Sequence, residues 1–231
     1  MSSLVLIADH ASNHVPDDID LAIDPALLTQ HMAIDIGVEP LGRLLCEQLD
    51  MEGFFGPVSR LVIDLNREED AAGLIPLESD GFAIPGNQLL DAAGRRARLE
   101  RFWRPYHDAI TARIALDRPH MIVSLHSFTP QLVTRPEERR PWQVGMLYNQ
   151  DDRAAVPGIA ALREAGIATG DNEPYSGKVL NATMNLHAEG NAIPYLNFEV
   201  RQDLISDDIG VASWAARLAP VIMRVSALFA A

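Results

Sequence analysis

Residues 4–16 read LVLIADHASNHVP, in which five consecutive apolar residues run directly into a polar segment that ends in proline. A short apolar run with such boundaries predicts a fully buried strand that feeds a loop. Met121–His126 has the same form, and Pro194–Arg201 carries charged residues at its end. Each of these strands is therefore expected to deliver polar side chains at its carboxyl end.

The remaining chain alternates between strand-like and helix-like segments. Two further strands are predicted at Val58–Arg67 and Val144–Tyr148. Helices are predicted at Pro25–Gln30, Asp35–Leu49, Gln88–Leu116 with an interruption at Pro105, 153–165 and 208–229, and long loops at 68–88, 129–141 and Asp171–Lys178. This alternation predicts an α/β fold of three layers, α/β/α, around a mainly parallel, mixed sheet. The chain shows no repeat or linker, so residues 1–231 are expected to form a single domain.

Composition limits the classes of partner. The net charge of −13 disfavours binding to a nucleic acid or to an anionic membrane surface, although a few arginines can still form a pocket for a small anionic substrate. The single cysteine, Cys46, excludes an internal disulfide and a CxxC metal site. No apolar run approaches the ~18 residues of a membrane span, and the N-terminus lacks a basic leader, so a cytoplasmic protein is expected.

Unusual polar residues gather where the predicted strands end. His10 follows the first strand, Asn66 and Arg67 end the second, and His126 ends the third. The last strand carries Glu199 near its end, followed by Arg201. Because ligands of open α/β sheets bind outside the carboxyl ends of the strands, these residues predict one common site.

Imidazole and carboxylate groups in such a site are typical ligands of catalytic Zn²⁺, which takes three protein ligands and leaves one position for water. His10 and His126 supply two ligands, and Asp35, Asn13 or His14 can supply the third. Zinc activates the water for attack on a carbonyl, and a carboxylate then transfers the water's proton to the leaving amine.

The proton-transfer role falls to Glu199 in this interpretation. Arg60, Arg67 and Arg201 can hold a substrate carboxylate through paired hydrogen bonds. Together these residues predict a metal-dependent hydrolase that acts on a small acidic amide.

At these residues the sequence resembles the N-formylglutamate amidohydrolases, which are distant relatives of the zinc carboxypeptidases, the aspartoacylase group and the zinc-dependent cell-wall amidases. The most specific motifs are DLNR at 64–67 and SLHS at 124–127. The other matching segments are ADHAS at 8–12, DIG at 35–37, SR at 59–60, PYH at 105–107, NEPYSG at 172–177 and FEVRQD at 198–203.

The resemblance implies a zinc-exopeptidase-like fold, a role in histidine degradation and hydrolysis of N-formyl-L-glutamate to formate and glutamate. It implies that His10 and His126 are the first and last ligands and that Glu199 is the catalytic glutamate. It also implies that Asn66 and Arg67 grip the substrate. Tyr175, in one of the predicted loops, can donate to the substrate or to the tetrahedral oxyanion.

The sequence differs from some of these related zinc enzymes at the third metal ligand. Carboxypeptidases and aspartoacylases carry His-x-x-Glu at the first ligand, but here Asn13 stands in place of the glutamate. The cell-wall amidases instead take an acidic ligand from the following helix, where this chain has Asp35. The resemblance therefore favours Asp35 and leaves Asn13 and His14 as alternatives.

Two other functions compete with this prediction. A peptidoglycan amidase or carboxypeptidase-like peptidase would use the same chemistry, but the absence of an evident signal peptide counts against it. A non-catalytic relative that binds a metal or ligand would have no need for the proton shuttle Glu199.

Overall fold

The centre of the protein is a six-stranded sheet. This computed structural model describes residues 3–230. The strands are, in chain order, β1 (Leu4–Ala8), β2 (Glu52–Phe55), β3 (Glu78–Ser79), β4 (Phe82–Ala83), β5 (Met121–Phe128), β6 (Val144–Leu147), β7 (Thr169–Asp171) and β8 (Tyr195–Arg201). The order in the sheet is β2-β1-β5-β8-β6-β7, and β3 and β4 form a separate hairpin. β6 pairs with β8 in the antiparallel sense, and the other pairings in the large sheet are parallel. The predicted mainly parallel, mixed sheet is confirmed.

Helices cover both faces of this sheet. They are α1 (Val38–Leu49), α2 (Pro85–Gln88), α3 (Ala92–Arg98), α4 (Arg104–Leu116), α5 (Ala155–Glu164), α6 (Ala182–His187) and α7 (Asp208–Ser226). One apolar core joins the sheet to α1, α5 and α7, and a second joins it to α4 and α6. Among residues 3–230 no helix is both long and apolar enough to cross a membrane.

The two faces differ along the central strands β5 and β8. Side chains alternate between the faces of a strand, so Leu125 and Phe198 enter the first core. On the other face of β5, Ile122 belongs to the second core. Ser124 and His126 follow it on the same face, toward the carboxyl end of the strand. All eight residues of β5 are buried. Polar groups therefore lie buried on the second face.

The predicted strand at Val58–Arg67 is wrong. None of residues 58–67, all of which the structure describes, lies in a strand. Ser59 Oγ donates to Ala33 O at 2.8 Å and accepts from Leu61 N at 3.2 Å, while Asp64 Oδ1 accepts from the backbone of Asn66. Such side-chain bonds to the backbone replace the ladder bonds of a sheet. The segment folds as turns, and the unpredicted β2 takes the edge of the sheet beside β1.

Smaller differences affect the helices and loops. Pro25–Thr29 is a 3₁₀ helix, and the predicted helix at Asp35–Leu49 begins only at Val38. The predicted loop at 68–88 contains the β3–β4 hairpin and α2. The expected interruption near Pro105 is a π-helical turn at Leu99–Trp103, after which α4 begins. A wide turn of this kind accommodates a proline that cannot donate a hydrogen bond.

Candidate metal and catalytic site

Three of the residues predicted from sequence come together beside the sheet. His10 follows β1, Asp35 precedes α1, and His126 lies in β5. His10 Nδ1 lies 3.3 Å from Asp35 Oδ2, and His126 Nδ1 lies 2.9 Å from the same oxygen. One ligand atom from each residue lies within 4.8 Å of the other two, and all three residues are buried.

The second nitrogen of each imidazole faces another carboxylate. His10 Nε2 lies 2.6 Å from Asp64 Oδ1, and His126 Nε2 lies 3.5 Å from Asp9 Oδ2. Tyr106 donates to the other oxygen of Asp9 at 2.9 Å. Histidines that bind metals commonly hold their second nitrogen on a carboxylate, which fixes the orientation of the ring. Asp64 therefore orients the ring of His10 through a hydrogen bond, while Asp9 faces the second nitrogen of His126, and both Nδ1 atoms face Asp35.

The donor set fits a tetrahedral zinc ion. Zinc bonds of about 2.0–2.1 Å place neighbouring ligand atoms about 3.3 Å apart. The two distances to Asp35 Oδ2, 3.3 and 2.9 Å, lie near that value. Asn13 and His14, the alternative third ligands, are exposed in the loop after β1. The geometry groups Asp35, and neither alternative, with the two histidines.

Charge at the site is arranged around buried carboxylates. Burial is the largest influence and opposes ionisation of Asp35, but His10, His126 and Arg60 together outweigh it and hold the pKa of that carboxyl below its ordinary value. Burial likewise opposes the charged form of His126, yet the hydrogen bond to Asp35 raises the pKa of this imidazole well above its usual value. The carboxylates thus favour positive charge at the point where the ligand atoms meet.

Arg60 is paired with two acids of the site. Its two terminal nitrogens donate to Asp35 Oδ1 and Asp64 Oδ2, both at 3.2 Å. A guanidinium that bridges two carboxylates helps to hold them in place. Arg60 also lines the cavity that adjoins the site, so its contact with a substrate carboxylate stays a prediction.

Glu199 is the catalytic candidate of the site. It stands opposite His126 in the register of β8 and β5. The residue is buried, and its Oε2 atom has no hydrogen-bond partner among residues 3–230. Burial, as the largest influence, raises the pKa of Glu199 to about 7. A carboxyl with a free oxygen beside the ligand cluster is suited to proton transfer.

A cavity of about 580 Å³ opens onto these residues. Asn66, Arg67 and Tyr175, all predicted to contact substrate, line it. Arg201 is not among the described residues that line the cavity, and its guanidinium binds Asp203 at 2.7 Å. The structure thus gives no support for Arg201 as a substrate ligand, because the end of β8 turns it toward its own loop.

The loop that carries Tyr175, the β3–β4 hairpin and the loop at 129–141 all contribute to the walls of this cavity. Tyr175 Oη accepts a hydrogen bond from the buried Arg140 at 3.0 Å, which leaves the hydroxyl hydrogen available to a ligand. Asp80, in the turn of the β3–β4 hairpin, accepts bonds from the backbone of Val133 and Thr134 at 3.0 and 3.1 Å. The hairpin and the loop at 129–141 are thereby fastened to each other over the cavity.

Four residues that sequence reasoning assigned no role also belong to the site. Asp9 directly precedes His10, and Asp64 lies two residues before Asn66, but nothing local shows that these two acids face imidazoles. Arg135 lines the cavity and comes from 129–141, which was predicted only as a long loop. Asn197 also lines it, two residues before Glu199, and this spacing on a strand is the signal that could have identified it.

Comparison with known proteins identifies the family and the fold of this chain. A family model described as N-formylglutamate amidohydrolase matches residues 2–206. A gene product from Agrobacterium tumefaciens of known crystal structure is 30% identical, with a TM-score of 0.91 over 96% of this chain and 90% of that chain. N-formylglutamate amidohydrolase from Ralstonia eutropha shares the fold at 20% identity, with a TM-score of 0.72 over 98% of this chain and 93% of that chain. No curated protein matches the chain.

Proposed function

The chain belongs to the N-formylglutamate amidohydrolase family, and on that premise we propose that it is a zinc-dependent amidohydrolase of a small, anionic N-acyl amino acid. N-formyl-L-glutamate is the leading substrate, and residues 1–231 act as one catalytic domain. The observation that carries the proposal is the meeting of His10, Asp35 and His126 beside the unpartnered carboxyl oxygen of Glu199.

The metal ligands in this proposal are Nδ1 of His10, Nδ1 of His126 and the carboxylate of Asp35. Zinc in such a site lowers the pKa of water toward about 7 and polarises a carbonyl. Asp64 binds Nε2 of His10 and Asp9 faces Nε2 of His126, which would leave the Nδ1 atom of each ring for the metal.

Glu199 moves the proton in this reaction. Its free Oε2 takes a proton from the attacking water while the water oxygen bonds to the formyl carbon. The carbon–nitrogen bond then breaks, and Glu199 returns the proton to the departing nitrogen. The products are formate and glutamate, and the carboxylate is regenerated.

The substrate carboxylates need cations that reach the cavity. Arg67 lines the cavity and lies 3.5 Å from Asp64, with a third of its side chain exposed. Arg135 lines the same cavity from the loop at 129–141 and pairs with Glu138 at 3.0 Å, with most of its side chain exposed. We assign one substrate carboxylate to Arg67, with Asn66 beside it, and the other to Arg135. Tyr175 donates its hydroxyl hydrogen to the substrate or to the oxyanion.

The test combines metal analysis with an assay of the purified protein. We expect about one zinc per chain and release of free amine from N-formyl-L-glutamate that stops on chelation and returns with zinc. Zinc without turnover would reject this substrate and direct the assay to other N-acyl amino acids. A protein that binds no zinc even after reconstitution, or that turns over unchanged in chelator, would contradict the proposal.

A further inference from the structure

Asn197 places a buried amide at the floor of the cavity. It lies on β8 two residues before Glu199, so both side chains occupy the same face of the strand. Asn197 is 1% exposed and lines the cavity. Within residues 3–230 its Oδ1 atom has no hydrogen-bond partner. Buried amide oxygens are normally paired, so this one requires an explanation.

A network behind the strand fixes which way this amide points. Asn181 Nδ2 donates to Asn185 Oδ1 at 2.9 Å and to Tyr195 Oη at 3.0 Å, and Tyr195 in turn donates to Glu189 at 2.8 Å. Asn181 must therefore present its oxygen to Asn197, whose Nδ2 donates to it at 3.1 Å. The network leaves the oxygen of Asn197 without a partner among residues 3–230.

An amide oxygen in this position requires a hydrogen-bond donor on the ligand. It can only accept a hydrogen bond, so it cannot pair with either carboxylate of an acidic substrate. At neutral pH, N-formylglutamate has one N–H group, the amide that is cleaved. Residues two apart on a strand are about 6.6 Å apart, so Asn197 and Glu199 can flank a single substrate nitrogen.

We propose that Asn197 Oδ1 accepts a hydrogen bond from the N–H of the scissile amide and turns the nitrogen toward Glu199. Asn197 is then a specificity-determining residue that favours a secondary amide over an ester of the same shape. The inference rests on the proposed function and adds to it the group by which the site recognises the amide nitrogen.

The experiment compares two ligands that differ only at this atom. N-formyl-L-glutamate and its ester analogue, O-formyl-2-hydroxyglutarate, are titrated calorimetrically into zinc-loaded Glu199→Gln protein, which we expect to bind both without rapid turnover. The amide should bind about tenfold more tightly, because the ester lacks the donor and places lone pairs against the oxygen. Adding Asn197→Ala should bring the two affinities close together.

Control variants separate recognition from structure. Asn197→Leu has a side chain with the same branching and no acceptor, and gives the same readout if the alanine variant does not fold. Ser124→Ala removes another buried, unpartnered oxygen that lies opposite Asn197 in the register but is not among the described residues lining the cavity. It should leave the tenfold ratio unchanged.

The outcomes distinguish this inference from the proposed function. A tenfold preference that survives in the Asn197 variants, or one that disappears in Ser124→Ala, would overturn the inference while the amidohydrolase proposal stands. Failure of the zinc-loaded protein to bind either ligand would overturn both.

Discussion

Toward the carboxyl ends of β5 and β8, both faces of the central sheet are buried but they differ in chemistry. Leu125 on β5 and Phe198 on β8 are fully buried against the core formed with α1, α5 and α7. Their neighbours His126 and Glu199, on the other face of the same strands, are only 3% and 7% exposed. Burial therefore does not distinguish the two faces. They differ in their buried groups, which are apolar side chains on the first face and ionisable side chains near hydrogen-bonding partners on the second.

The two faces therefore contribute differently to the free energy of folding. Apolar side chains on the first face stabilise the fold in proportion to the area removed from water. Ionisable groups on the second face lose hydration and must be compensated by partners, as Asp35 is by two imidazoles and Arg60. Changes at Leu125 or Phe198 should thus reduce stability, and changes at the buried ionisable groups of the second face should reduce metal binding and catalysis.

The largest effect is expected from His126→Ala. Removal of one of three ligands should abolish both zinc binding and turnover, because the remaining histidine and carboxylate no longer enclose the ion. Elemental analysis and the amine-release assay measure the two losses together. Zinc content equal to that of the wild type in the folded variant would remove His126 from the ligand set.

Glu199→Gln should be nearly as severe for the reaction while sparing the metal. Loss of a group that transfers protons typically costs 10²–10⁴ in rate. We expect kcat to fall within that range at unchanged zinc content. A kcat within a factor of about three of the wild type would show that proton transfer does not depend on this carboxylate.

Asp9→Asn tests the carboxylates behind the ligands. The substitution keeps the shape but removes the charge that faces His126 Nε2 at 3.5 Å. Outer carboxylates of this type typically contribute 10–100-fold to metal affinity, and we expect a loss of that size in competition with a chelator of known affinity. An unchanged zinc affinity would mean that Asp9 plays no part in holding the ring.

Arg67→Ala should weaken substrate recognition alone. A charge-assisted hydrogen bond of about 1.5–3 kcal/mol corresponds to a 10–100-fold loss in kcat/KM, with zinc retained. The matched control is Arg201→Ala, because Arg201 binds Asp203 and is not among the described residues that line the cavity. If both variants lose kcat/KM equally, the effect does not arise from contact with the substrate.

Leu125→Ala, on the opposite face, should have the smallest effect on catalysis. Truncation of a fully buried leucine costs about 2–5 kcal/mol in the free energy of unfolding. Zinc content and the kcat of the folded fraction should remain those of the wild type. A large fall in kcat in protein that is still folded would show that the two faces are coupled.

The prediction of the fold succeeded where the local pattern was strong and failed where it was short. Leu4–Ala8 is a strand as expected, because its apolar run is followed at once by polar residues. The apolar run within 58–67 looked similar but folds as turns, since Ser59 and Asp64 bind the local backbone. A short apolar run indicates burial and does not by itself distinguish a strand from a buried turn.

By itself the sequence determined that the protein is α/β, that it belongs with the N-formylglutamate amidohydrolases, and that His10, His126 and Glu199 stand on or beside buried strands. These properties follow from composition, from periodicity and from short motifs, all of which are local in the chain. Only the tertiary structure decided that Asp35 joins both histidines, that Arg60 is held by two carboxylates, and that the amide oxygen of Asn197 is buried without a partner among residues 3–230. Each of these depends on the distance and orientation between side chains of separate segments, which packing sets and local sequence does not encode.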